Sequence, residues 1–156
     1  MQGVMQTEDR MFLGTVVRVH VPEAPRDDGI SLIEHKIPFG FSPPVHVHHD
    51  EDEIFYLLSG EIRFNVAGKD VVAKAGQTVV APSGLPHGFI VTSPEGAHCL
   101  TLTNRGNFEA MMRECSQPRV DNEPPFLAGP PTPEQVEKLA AICHANRIDL
   151  LGPPLA

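Results

Sequence analysis

No cluster of lysine and arginine occurs anywhere in this sequence. Its formal net charge is −8 over 156 residues, which argues against nucleic acid or an anionic membrane surface as the partner. No apolar run approaches the ~20 residues that a membrane-spanning helix needs. The opening MQGVMQTEDRMFLG lacks the basic and then apolar stretches of a secretory signal. Cysteine is scarce too. Cys99, Cys115 and Cys143 are odd in number, far apart and form no CxxC pair. A disulfide framework is therefore not expected, and reduced thiols in a cytoplasm are.

What is abundant is turn chemistry. Sixteen prolines and thirteen glycines punctuate short β-branched runs, the pattern of an all-β protein. The length fits one domain that can bury a core unaided. Residues 1–10 read as a flexible tail. Residues 11–116 read as a barrel with a following helix. Phe12 to Val21 reads as one strand, and Ile30 to Phe39 as a second with Ile33, His35 and Ile37 on one face. Further short strands run to Thr103. Residues 117–156 read as a proline-rich segment and a helix packing on the barrel. Phe108, Met111, Met112 and Cys115 fall at helical spacing behind Asn107. Thr132-Pro133-Glu134-Gln135 supplies a cap, a proline at the first position and a capping-box partner.

The stretch that carries chemistry is GFSPPVHVHHDEDEIFYLLSG, Gly40 to Gly60. His46 and His48 are two apart, so on a strand they share a face, and His49 points the other way. Glu53 follows after a turn, in which Asp50, Glu51 and Asp52 read as solvated. His87 opens a later strand after a glycine-rich turn. Three imidazoles and a carboxylate suit a divalent ion such as Fe, Mn, Ni, Zn, Co or Cu. A lone histidine is more often a surface or hydrogen-bonded core residue, and His20, His35, His98 and His144 are read that way, with His35 a candidate for the interior. Cys99 reads as core. Phe39, Phe41, Phe55, Leu57, Phe64, Phe89 and Val91 are the apolar candidates for a pocket lining.

The spacing Gly40-x5-His46-x-His48-x4-Glu53-x6-Gly60, then Gly76-x5-Pro82-x-Gly84-x2-His87, resembles the two motifs of the cupin superfamily. The spacer between the two motifs is 15 residues. Val91 stands where the second motif ends with Asn. FYLLSGEIRF and the two helical stretches resemble small single-domain cupins of the quercetin 2,3-dioxygenase-like kind. The resemblance implies an all-β, jelly-roll-like double-stranded β-barrel with two C-terminal helices outside it. It also implies one divalent metal ion per chain held by His46, His48, Glu53 and His87, a small-molecule substrate and a homodimer.

The implied activity is a metal-dependent dioxygenase acting on a small enolic or phenolic, flavonol-like compound, with Glu53 doubling as the base. An isomerase or cyclase using the metal as a Lewis acid is the alternative, and a non-catalytic binding cupin is a third reading. Glu53 speaks against the three-histidine thiol dioxygenases.

Overall fold

The computed structural model describes residues 7–22, 29–120 and 131–156. The first strands are β1 (Asp9–Phe12), β2 (Thr15–Val21), β3 (Ser31–Ile37) and β4 (Pro44–His48). They are followed by β5 (Glu53–Ser59), β6 (Glu61–Val66), β7 (Lys69–Lys74), β8 (Thr78–Ala81), β9 (His87–Val91) and β10 (Ala97–Thr103). The chain then forms α1 (Asn107–Cys115), β11 (Ser116–Pro118), α2 (Pro133–Ala145) and β12 (Ile148–Pro154).

Two antiparallel sheets result. One runs β11-β1-β2-β3-β10-β5-β8 and the other β12-β4-β9-β6-β7. Alternation builds both. In β3, Ser31, Ile33, His35 and Ile37 are buried while the residues between them are not, the period-two pattern of a sheet with one face inward. Leu57, Ile62, Phe64, Phe89, Val91 and Cys99 meet between the sheets in one core cluster. This is the expected double-stranded β-helix architecture, with two sheets that face each other without closing into one continuous ladder.

A second cluster fills the other end. Phe108, Met111 and Met112 of α1 and Cys143 of α2 pack on Phe12, Val17, Ile33 and Ile148. The helices are thus not only an outer layer: they plug one end of the barrel. The last part of the chain also completes the sheets, because β11 pairs with β1 and β12 with β4. The capping box of α2 forms as read, with Gln135 N–H donating to Thr132 Oγ1. Val136 is 40% exposed, because α2 rests on the barrel mainly through Leu139, Ile142 and Cys143.

Two expectations about the N-terminal part are corrected. The single strand from Phe12 to Val21 is a hairpin, since Leu13 and Gly14 take φ of 49° and 79° and turn the chain in two residues. Leu13 carries no turn signal, and Gly14 alone inside a β-branched run does not announce a two-residue turn. Asp9 and Arg10, expected in the tail, open β1 and pair with Arg18 and Val17, where Arg18 Nε donates to Asp9 Oδ1 at 2.7 Å. Residues 1–6, most of the turn after Val21 and residues 121–130 of the proline-rich stretch lie outside the described residues.

Gly60, which ends the first motif, joins β5 to β6 at φ +82°. A Cβ there would stand 2.4 Å from the Gly96 carbonyl oxygen and 2.8 Å from Ala97 Cα. Both are backbone and cannot swing aside. Gly60→Ala is expected to cost roughly 2–4 kcal/mol, from the left-handed backbone and the clash together. Urea unfolding midpoints of the two proteins at fixed pH would measure it.

Candidate metal centre

His46 and His48 project from the same face of β4, as their parity requires. β4 pairs with β9 through His46 and His87, which sets the third imidazole beside the first at a ring separation of 4.4 Å. Glu53 opens β5 in the opposite sheet, paired with Ala81 and Thr103. The site therefore bridges the two sheets. One donor atom from each of the four residues lies within 4.8 Å of the others.

Hydrogen bonds orient the rings. His46 Nδ1–H donates to the Pro44 carbonyl at 2.7 Å. His48 Nδ1–H donates to Glu51 Oε1 at 2.8 Å. His87 Nδ1 lies 3.4 Å from the Leu85 carbonyl. With Nδ1 engaged at its own backbone or carboxylate, each ring turns its Nε2 inward, and two of these nitrogens lie 2.9 Å (His87) and 3.3 Å (His48) from Glu53 Oε2. Such outer partners fix the tautomer of metal-binding histidines.

The donor set fits a metal on two further grounds. His48 Nε2 is buried with no hydrogen-bond partner, a cost that coordination would remove. Donors sharing one ion at about 2.1 Å lie at most ~4.2 Å apart, so a pair at the 4.8 Å limit of the cluster would have to close by at least about 0.6 Å.

Electrostatics agree with that use. Burial would raise the Glu53 carboxyl, but His48 and His87 hold it at about 2. Burial, with repulsion from His87 and His48, lowers His46 to about 3, leaving it neutral and ready to ligate. Burial opposes charge on His48 as well, yet Glu53 and Glu51 prevail and raise its pKa.

Glu51 corrects the solvated-turn reading. It is 1% exposed. Its Oε1 accepts from both His48 Nδ1 and the Phe108 backbone N–H, the latter at 2.7 Å. Phe108 lies in the first turn of α1, whose N-cap is Gly106 with no side-chain cap of its own. A carboxylate from 57 residues upstream thus caps the helix, where the helix dipole favours negative charge. Of its neighbours, Asp50 is exposed as read and bound by Arg147, and Asp52 is half-buried, its carboxylate accepting from the Ser83 backbone N–H.

A cavity of about 60 Å³ opens beside the cluster where the two cores meet. His46 and Glu53 line it with Phe41, Phe55 and Phe89 from the expected set, and with Phe12, Phe108, Met111 and Cys143 from the plugged end. Leu57, Phe64 and Val91 face inward but do not line it. Counting by twos finds the inner face but not the depth. Leu57 and Val91 are each four residues from a candidate ligand, about 13 Å along a strand. Phe39 is 63% exposed, because β3 ends at Ile37 and alternation stops at Pro38. The helical wall was not expected from sequence, and its only trace there was the apolar spacing of α1.

His35 also lines the cavity, and burial lowers its pKa to about 4. Between pH 6.5 and about 4 the unfolded chain takes up a proton there that the folded chain does not, so folding stability falls as pH falls through that window. His35→Phe is expected to remove up to about 1.4 kcal/mol per pH unit of that slope. Denaturant titrations at pH 7, 6, 5 and 4.5 would read it. The buried thiols of Cys99 and Cys143 are pushed up to about 12 by burial, and all three cysteines are free, as expected for inert core thiols.

Residues 34–103 match the family described as "Cupin domain". Over 52 residues the chain is 46% identical to the oxalate-binding protein of Thermotoga maritima, covering 33% of this chain and 43% of that protein. Over 85 residues it is 36% identical to the acireductone dioxygenase of Yarrowia lipolytica, covering 51% of this chain and 46% of that one. Each match spans less than half the length of the curated relative. Among solved structures, a predicted oxalate decarboxylase from Thermotoga maritima superposes with a TM-score of 0.53 at 28% identity, over 66% of this chain and 96% of that one. No helix among the described residues is long and apolar enough to cross a membrane.

Proposed function

We propose that this cupin-fold protein is a metal-dependent dioxygenase acting on a small enolic or phenolic compound, with one divalent ion held by His46, His48, Glu53 and His87. The observation that carries the reading is the convergence of three oriented imidazoles on the Glu53 carboxylate at the edge of an aromatic-walled cavity. A bound ion would supply a Lewis acid for an enol or phenol oxygen and, if redox-active, a route to O2. Phe41, Phe55 and Phe89 would hold a flat substrate against the cluster and keep water out.

Glu53 suits the role of ligand better than that of base. A carboxyl held near 2 has little drive to take a proton at neutral pH. The cavity, about 60 Å³, favours a compact enol or phenol over a flavonol, which would need the mouth to widen. The likeness to an acireductone dioxygenase supports an enolic substrate.

A non-oxidative Lewis-acid reaction is the second reading, and the likeness to proteins named for oxalate favours it. Against oxalate itself, no lysine or arginine lines the cavity among the described residues, so oxalate would meet no cation other than the ion.

Oxygen uptake separates the two readings. Protein loaded in turn with Fe, Mn, Ni, Co, Cu and Zn would be incubated with small enols, catechols and 1,3-dicarbonyl compounds. Consumption of O2 with one or more redox-active metals is expected. If nothing is oxidised and a substrate is instead isomerised or decarboxylated without O2, the dioxygenase reading fails.

A further inference from the structure

We propose that His35 is a substrate-binding residue whose Nδ1 accepts a hydrogen bond from a hydroxyl of the ligand in the cavity; the inference deepens the enolic or phenolic reading above and rests on it.

His35 sits on the inward face of β3 and is 5% exposed. Its Nε2 lies 2.7 Å from Thr15 Oγ1. Thr15 has a single hydroxyl proton, and it goes to the Phe12 carbonyl at 2.6 Å. Thr15 Oγ1 must therefore accept from His35, which places the ring proton on Nε2. Thr15 is itself fully buried at the start of β2, so this choice of tautomer is built into the hairpin that Leu13 and Gly14 form.

Nδ1 is then left as a lone pair, and no other described residue bonds to it. Among the described residues the rest of the wall is apolar apart from His46 and Glu53. In this tautomer Nδ1 can only accept, so what it selects is a donor. The ring is held neutral by burial, which keeps the lone pair available at neutral pH. A ligand that places one oxygen toward His46 and Glu53 and an O–H toward His35 would satisfy the polar side chains that line the cavity. A catechol or an enediol has that chemistry. A dicarboxylate, which has no hydrogen to give at neutral pH, does not.

The test uses Zn-loaded protein, kept anaerobic, with catechol as probe. Long-range proton–nitrogen NMR on ¹⁵N-histidine protein is expected to find His35 protonated at Nε2 and bare at Nδ1, and catechol is expected to move the Nδ1 resonance. Calorimetry is expected to find catechol about tenfold weaker in His35→Phe, the worth of one buried hydrogen bond, with zinc content unchanged. Should His35→Phe fail to fold, Thr15→Val removes the group that selects the tautomer and is expected to give mixed His35 tautomers and weaker catechol binding.

Protonation at Nδ1 in the wild type, an Nδ1 signal indifferent to catechol, no catechol binding, or equal affinity in wild type and His35→Phe would each overturn the inference. Oxygen uptake tells the two failures apart. Catechol bound through His35 with no substrate oxidised defeats only the dioxygenase reading, and full-rate oxidation by His35→Phe with unchanged KM defeats only this one.

Discussion

His48→Ala lowers the affinity for a divalent metal by more than about a hundredfold, beyond the 10–100-fold typical of outer-shell losses, while His49→Ala leaves it nearly unchanged. The two residues are adjacent, so a general effect of removing an imidazole from this strand would touch both equally. Strand parity separates them. His48 is 2% exposed, and its unpartnered Nε2 lies 3.3 Å from Glu53 Oε2. His49 is exposed on the other face, where its Nε2 meets Asp149 Oδ2 at 2.8 Å. Surface pairs of that kind contribute about 0–1 kcal/mol and do not reach the cluster. Competition titrations with zinc and a chromophoric chelator at pH 7.5 would measure both variants. Equal losses would mean that the inward face of β4 is not the one that gathers the donors. Acid should act in the same direction as His48→Ala. Because the pKa of His48 is raised by Glu53 and Glu51, protons compete for its Nε2 more strongly than for an ordinary imidazole, and metal occupancy falls as pH drops.

The parts of this molecule that were legible in sequence are those written in local periodicity. Alternation located β3 and put His46 and His48 on one face of β4, and the structure brings one possible ligand atom from each of His46, His48, Glu53 and His87 within 4.8 Å of the others. Local chemistry also announced the capping box of α2. What was not legible depends on partners far along the chain. The run Asp50-Glu51-Asp52 reads as three equivalent solvated acids. Glu51 differs only because the N-terminus of α1 arrives over it, and nothing within ten residues records that. The helical wall of the cavity is of the same kind, since Phe108 and Met111 were legible as the buried face of a helix but not as neighbours of His46 and Glu53. His35 was a candidate for the interior, yet the orientation of its ring depends on Thr15, 20 residues away across the β2–β3 connection.

Glu51→Ala is the second substitution with a large expected effect, and it acts on stability and metal together. Glu51 Oε1 is the acceptor for two buried donors, His48 Nδ1–H and Phe108 N–H. Alanine leaves both without a partner, at about 1–3 kcal/mol each, so unfolding free energy should drop by roughly 2–6 kcal/mol. The His48 ring would also lose the group that fixes its tautomer, and affinity for zinc should fall by about 10–100-fold. Glu51→Gln separates these consequences. The amide keeps an oxygen where Oε1 lies, so it can still accept from both donors and should restore most of the stability. It removes the negative charge from the N-terminus of α1, a loss of about 0.3–2 kcal/mol, and makes His48 a weaker base toward the metal. The order expected for zinc affinity is therefore wild type, then glutamine, then alanine, with a larger gap in stability between glutamine and alanine than between wild type and glutamine. Amide hydrogen exchange adds a local measure: in Glu51→Ala, protection should fall first in residues 107–111 at the start of α1. An alanine variant with wild-type zinc affinity and unaltered exchange in α1 would mean that Glu51 links neither the helix nor His48 to the metal site.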